Sequence, residues 1–291
     1  MRSPTSFNQQ PTVVLDFQIC HHHFDPAQQP PALFHPRKRD YFTVLWFRQG
    51  AGCYCVDFTE YRFTPNTIVL LSKDQLYYFT SQDALVDLIE LAFTPDFISR
   101  ASPEILQLLS FCIREHFAGK QILHVGETDS AYLDLVMQQM QHIAAAWTGY
   151  EQKASLFHWL QLFLIYCNKL KTEQSAPPDD DTYAVVGNFT TLIERNFKQT
   201  QKVNDYCDQL YLTYNTLARY TQNYCGKSPK EIIAERVTLE AKRLLVTSAM
   251  PIKEIAYTLG FDEPTNLVKY FKKQTGFTPA TFRENFTTAS A

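Results

Sequence analysis

The period of the hydrophobic positions changes along the 291-residue chain, and each change predicts a different kind of element. Between residues 13 and 93, runs rich in β-branched and aromatic side chains occupy 13–20, 41–49, 53–58, 67–71, 76–80 and 85–93. Turn signals separate them, among them Gly50-Ala51-Gly52, Pro65-Asn66 and Ser72-Lys73-Asp74. This spacing predicts an antiparallel β-sandwich or barrel, and a small barrel can enclose one ligand. From about Thr128 or Asp129 the apolar period becomes three and four: Leu133, Val136, Met137, Met140, Ile143, Ala144 and Trp147. A second helix is predicted from Gly149 to about Lys171, with Leu156, Trp159, Leu160, Phe163, Leu164 and Cys167 along its apolar side. The break between the two is short, so they should pack antiparallel. Their apolar surface serves either as core against the β-region or as a dimer face. Ser175-Ala176-Pro177-Pro178-Asp179-Asp180-Asp181 has the composition of a linker stiffened by proline.

From about Tyr183 onward the pattern is consecutive helices, and it contains an internal repeat. A shift of 50 places Asn215 on Thr265, Leu217 on Leu267, Arg219 on Lys269, Tyr220 on Tyr270, Gly226 on Gly276 and Pro229 on Pro279. Upstream of the turn the shift is 49: Val203, Tyr206, Cys207 and Leu210 fall on Ile252, Ile255, Ala256 and Leu259. Each of these sets is spaced zero, three, four, seven, the spacing of one helix face. One unit is therefore written twice, with an extra residue in the second turn.

The repeated unit has the grammar of a helix-turn-helix: a short amphipathic helix, a tight turn, and a second helix crossing the first. In the second copy Gly260 supplies the turn, Phe261 fills the angle, Asp262 can cap the next helix and Pro264 falls in its first turn. In the first copy Thr213 is the corresponding cap. The outward stripes are Asn215, Ala218, Arg219 and Gln222 in copy one, and Thr265, Val268, Lys269 and Lys272 in copy two. Their chemistry suits a major groove. Arg forks onto guanine, Asn onto adenine, and Ala or Val meets a thymine methyl. Lys272 and Lys273 suit phosphates. The segment after Pro229, with Ile233, Val237, Ala241, Leu244 and Leu245 on one face, is predicted as a helix joining the units. At a fixed separation the two second helices can enter successive major grooves about 34 Å apart.

Charge strengthens this picture. The net charge is −3, but residues 1–181 hold 13 basic and 20 acidic residues, whereas the remainder holds 14 and 10. The second part is thus at +4 and suits a polyanion. The seven cysteines contain no CxxC pair and read as reduced thiols. No apolar run is long enough to span a bilayer, so no membrane partner is expected. The triplet His21-His22-His23 places only His21 and His23 on one strand face, and two imidazoles do not make a metal centre. No nucleophile elbow, phosphate loop or zinc-protease motif is present, so the chain is not expected to be an enzyme and no cofactor is expected.

The stretch IKEIAYTLGFDEPTNLVKYFKKQTGFTPATFR, residues 252–283, resembles the C-terminal signature of the AraC/XylS transcription regulators. The resemblance extends back to about Tyr183 and implies seven helices with two DNA-reading units. It places groove-facing residues at Asn215, Ala218 and Arg219, then at Pro264, Thr265, Val268 and Lys269. Departures are Thr221 where the family usually has Phe, and Val268 and Lys269 in place of a small polar residue and Arg. The front half is similar to the cupin-type sensor barrel of such regulators, across RKRDYFTVLWFRQGAG and DFTEYRFTPNTIVLLSKDQLYYF. Relatives place His where this chain has Arg37, Arg39 and Tyr77, so no barrel metal is implied.

The expected fold is therefore two-domain α+β: a cupin-like antiparallel β-barrel over 1–125, a helical pair with a dimerisation role over 126–174, a linker over 175–182, and an all-α domain with two helix-turn-helix units over 183–291. The expected function is a cytoplasmic, sequence-specific DNA-binding regulator of the AraC type, an activator. Its expected partners are promoter DNA in the major groove, RNA polymerase, a small effector in the barrel and a second copy of the chain. The alternatives are a cupin metalloenzyme with a DNA-binding appendage, and a regulator without a small-molecule effector.

Overall fold

The computed structural model describes residues 16–25, 36–82, 85–98, 122–174 and 180–289. The chain divides into two compact units, 1–176 and 177–291. The first residues of the first expected strand, 13–15, and most of the expected linker, 175–179, lie outside the described residues.

The described strands of the first unit form two antiparallel sheets. One runs β1(Phe17–Phe24), β8(Val86–Phe93), β3(Phe42–Gln49), β6(Thr67–Leu71) and β9(Ile122–His124). The other runs β2(Arg37–Lys38), β7(Leu76–Gln82), β4(Gly52–Val56) and β5(Thr59–Phe63). Successive side chains along each strand point to opposite faces. Val44, Trp46, Ile68, Ile89 and Leu91 point to one side of the larger sheet, while Leu45, Phe47, Val69, Leu71 and Leu88 point to the other. The second set shares a core with Tyr54, Val56, Phe63, Tyr77 and Phe79 of the smaller sheet. The first set is covered by α1(Glu127–Ala146) and α2(Gly149–Gln174) through Leu133, Val136, Met137, Met140, Leu160 and Phe163. Both faces of the central strands β3, β6 and β8 are thus largely buried, and these strands read as mostly apolar, whereas the edge strand β1 carries Gln18 and three histidines. The predicted apolar stripes of α1 and α2 are this core, except for Trp147, which follows the last residue of α1 and is 43% exposed. Burial of each such side chain contributes about 1.5–3 kcal/mol.

The closed barrel expected from the sequence is not formed by the described strands. They build a sandwich of two separate ladders, and the edge strands β2 and β9 span only two and three residues, too short to carry one ladder into the other. The sequence pattern does not predict the strand β5. Its hairpin with β4 turns on Asp57-Phe58, with φ of 49° and 70°, the two-residue geometry that matches strand twist but normally draws Asn-Gly. The buried Asp57 carboxylate accepts from the Leu76 amide at 3.1 Å and from Gln75 Nε2 at 3.0 Å, which fixes this turn without glycine.

The second unit is seven described helices: α3(Asp180–Asn196), α4(Val203–Leu210), α5(Tyr214–Cys225), α6(Pro229–Thr247), α7(Ile252–Thr258), α8(Pro264–Thr275) and α9(Pro279–Ala289). The helix α6 begins in a full capping box. Ser228 Oγ accepts from the Glu231 amide, and the Glu231 carboxylate accepts from the Ser228 amide at 2.7 Å. Ile232, Ile233, Val237, Ala241 and Leu245 of α6 are buried, and the helix touches α3, α4 and α5 as well as α7, α8 and α9. Buried charges complete its packing. Arg236 donates to Glu194 of α3 at 2.8 Å and to Glu240 at 3.0 Å, and its guanidinium lies 4.0 Å over the Phe197 ring. Near the chain end Arg283 donates to the carbonyls of Leu245 and Met250, tying α9 to the end of α6.

Candidate nucleic-acid interface

The two halves of the second unit repeat in three dimensions what they repeat in sequence. Buried Tyr206 and Cys207 of α4 match buried Ile255 and Ala256 of α7. Buried Leu217 and Thr221 of α5 match buried Leu267 and Phe271 of α8. Both second helices end on left-handed glycines, Gly226 and Gly276, at φ 69° and 82°. Both are followed by a proline that opens the next helix, Pro229 or Pro279.

The turns between the helices are built alike. After α4, Tyr211 is left-handed at φ 55° and the Leu212 amide donates to the Cys207 carbonyl at 3.0 Å. After α7, Gly260 is left-handed at φ 79° and the Phe261 amide donates to the Ala256 carbonyl at 3.0 Å. These are the same six-to-one closures of a helix C-terminus. Phe261 then meets the Tyr270 ring edge-on, with centroids 5.3 Å apart, which sets the angle between α7 and α8.

The starts of the second helices differ. Thr213 caps α5 as expected, its Oγ1 accepting from the Thr216 amide at 3.2 Å. The expected cap Asp262 does not cap α8. Glu263 stands at the N-cap with no side-chain hydrogen bond, because the turn residues match at 49 and the extra residue, Asp262, shifts the register to 50 before the cap. Pro264 follows at the first helical position, where its missing N–H removes no bond.

The side chains singled out from the sequence are exposed in matched pairs. Asn215 and Thr265, Arg219 and Lys269, and Gln222 and Lys272 all face solvent. Ala218 and Val268 are both half-buried, as is Pro264, while Thr213 at the cap of α5 is exposed. The spacing 215, 218, 219, 222 therefore forms one outward strip on α5, and 265, 268, 269, 272 the same strip on α8. The Arg219 guanidinium carbon lies 5.2 Å from the centroid of the Tyr220 ring, a cation–π contact made by an exposed side chain. Lys272 and Lys273 sit in the last turn of α8, where the helix dipole favours positive charge. Sequence reasoning missed two exposed aromatics beside these strips, Tyr211 in the turn and Tyr214 at the start of α5. Spacing could not reveal Tyr214, which lies three and seven residues before buried Leu217 and Thr221 and is exposed only because it opens the helix.

Residues 206–285 match the family model described as a helix-turn-helix domain. The C-terminal unit carries an AraC-type helix-turn-helix domain. Relatives aligned with the AraC-type domain extend over most of the chain. The HTH-type transcriptional activator RhaR of Escherichia coli is 19% identical over 254 residues, covering 87% of this chain and 88% of its own. The HTH-type transcriptional activator RhaS of Yersinia pestis is 20% identical over 260 residues, covering 88% and 92%. Among solved structures, ToxT from Vibrio cholerae is 16% identical and covers 92% of this chain and 98% of its own, with a TM-score of 0.45. Among the described residues, no helix is long and apolar enough to cross a membrane.

Proposed function

We propose that the chain is a sequence-specific DNA-binding transcription regulator, of the activator kind its named relatives exemplify, in which α5 and α8 read base edges in the major groove. The observation that carries this reading is the duplicated strip: the same outward positions, at the same exposure, on two modules packed against one connecting helix. Arg219 and Asn215 supply forked donors and acceptors for purine edges, and Ala218 and Val268 supply apolar contact. Lys269 carries charge without the guanidinium fork, so the second module reads with less geometric demand than the first. Gln222, Thr265 and Lys272 complete the strips and Thr213 borders the first, and the α8 start, without a side-chain cap, leaves early N–H groups to donate to a phosphate oxygen. Such a regulator performs no chemistry of its own and acts on RNA polymerase from the promoter, in the cytoplasm.

In this reading residues 1–125 form a cupin-like sensor that binds a small effector, 126–174 provide a helical pair for self-association, 175–182 link, and 183–291 bind DNA. Tyr132, Leu135, Leu162 and Ile165 leave apolar surface on α1 and α2 outside their shared core, which supports the self-association. A second reading, a regulator without a small-molecule effector, is favoured by the sandwich interior. There Phe47 stacks on Phe63 at 4.0 Å and Tyr54 and Phe79 close around them, so aromatic side chains fill the space between the sheets.

In vitro selection from random duplexes by the full-length protein, with and without a metabolite library, tests both points. The proposal expects a motif of two blocks, one per module, and an effector is identified by a change in the enrichment. Recovery of duplexes without any shared motif would overturn sequence-specific binding.

A further inference from the structure

The histidine triplet, unused by the DNA-binding unit, acquires a third partner from the fold. The strand β1 is an edge of the larger sheet and pairs antiparallel with β8. In that register His23 lies opposite Asp87 and His21 opposite Ile89, so Asp87 is directly across from one imidazole and diagonal to the other. His21 and His23 point to one face, while His22 points to the other and bonds Glu90 Oε2 at 3.0 Å. The donor atoms of His21, His23 and Asp87 all lie within 4.8 Å of one another.

We propose that His21, His23 and Asp87 form a binding site for one divalent cation of the zinc class. Asp87 Oδ1 is 2.5 Å from His21 Nε2 and 3.6 Å from His23 Nδ1, and the two imidazole centroids are 4.7 Å apart. A tetrahedral ion with bonds of about 2.0–2.2 Å holds its donors about 3.3 Å apart, so the observed separations bracket what it needs. Two imidazole nitrogens with one carboxylate oxygen suit zinc, and nickel, copper or cobalt by the same chemistry, whereas calcium and magnesium prefer oxygen alone. His23 is 63% exposed, which leaves the fourth position to water. The open side fits binding and clamping instead of enclosed catalysis. Without a cation, the close His21–Asp87 contact is the hydrogen bond the same groups make with each other; the ion takes the place of that proton.

The consequence is local and mechanical. A bound ion would join the edge strand β1 to β8 through side chains as well as through the ladder. It would also sit beside α1, which packs on β1. Asp134 of α1, ion-paired with Arg48 of β3, is pushed up by burial and also feels the charges of Asp87 and His21. A cation at the triad would therefore act on the junction between the sheet and the helical pair.

Zinc titrated calorimetrically into the tag-free, full-length protein tests the site, with His23→Gln, Asp87→Asn and His22→Gln alongside the parent. The expected result is one equivalent bound by the parent and by His22→Gln, with affinity lower by about tenfold or more in the other two. Zinc should also raise the unfolding temperature of the first pair and not of the second. The exposed His23 can be changed without touching the core, so His23→Gln decides the matter even if Asp87→Asn folds poorly. Absence of saturable binding, or equal affinity across all four proteins, would overturn the proposal.

Discussion

Tyr211 and Gly260 occupy the same place in the two modules, each ending its first helix in the left-handed conformation, and only one of them is glycine. The difference lies in what surrounds them. A Cβ on Gly260 would fall 2.1 Å from the Lys198 carbonyl oxygen, whereas Tyr211 is 95% exposed. Gly260→Ala should therefore cost about 2–4 kcal/mol in urea unfolding of the full-length protein, combining steric overlap with left-handed strain. Tyr211→Gly should change stability by less than about 1 kcal/mol, since relief of strain and added freedom of the unfolded chain oppose each other. Equal effects at the two sites would contradict the account of the turn.

The outward strips separate base readout from charge. Arg219→Ala should weaken binding to the selected site by about 1–3 kcal/mol and hardly alter binding to random DNA. Lys272→Ala should weaken both alike and lower the salt dependence by about one unit of slope. Fluorescence anisotropy on both duplexes over a salt series makes the comparison. Equal losses on both sequences for Arg219→Ala would remove base readout from α5.

The connecting helix depends on its buried charges. Glu240 lies between Arg236 and Arg243, at 3.0 and 3.5 Å, and all three are buried. Glu240→Ala leaves two cations without this carboxylate and should cost about 3 kcal/mol or more. Glu194→Ala should cost less, because Glu194 is partly in water and Arg236 retains Glu240. Denaturant unfolding of both variants checks the order.

The capping box of α6 titrates. The Ser228 amide, followed by its hydroxyl, holds the Glu231 carboxyl below its ordinary value of 4.5. A carboxylate depressed in this way stabilises the fold above the unfolded pKa, and the contribution is lost as pH falls through the folded value. An NMR titration of Glu231 should show a midpoint below 4.5 that returns toward it in Ser228→Ala. Because Ser228→Ala keeps the amide, the return should be partial, and an unchanged midpoint would mean that the hydroxyl takes no part in the shift.

What was legible in the sequence follows from how local each signal is. The helix-turn-helix repeat could be read because its core positions, caps and glycines recur at a fixed offset, and each acts within a few residues. The cap of α8 was misassigned to Asp262 because the extra residue of the second turn falls before the cap, which only the closed turn reveals. The hairpin at Asp57-Phe58 lacks the usual glycine, and its stabilising bonds come from Leu76 at the start of β7 and from Gln75 just before it. The histidine triplet looked incomplete for the same reason: Asp87 is brought to it by strand register, 64 positions from His23. Runs of β-branched and aromatic residues mark the longer strands, while β2 and β9 carry too few residues to form such a run.

The central claim is that two modules, held apart by α6, read one face of a duplex. A 19-residue helix is about 28 Å long, close to the spacing of successive major grooves. The direct measurement is the affinity of the full-length protein for its selected site against the same site with about half a helical turn, five base pairs, inserted between the two blocks. The account predicts a loss of about a hundredfold, because the second module is rotated to the opposite face of the DNA; unchanged affinity would contradict it.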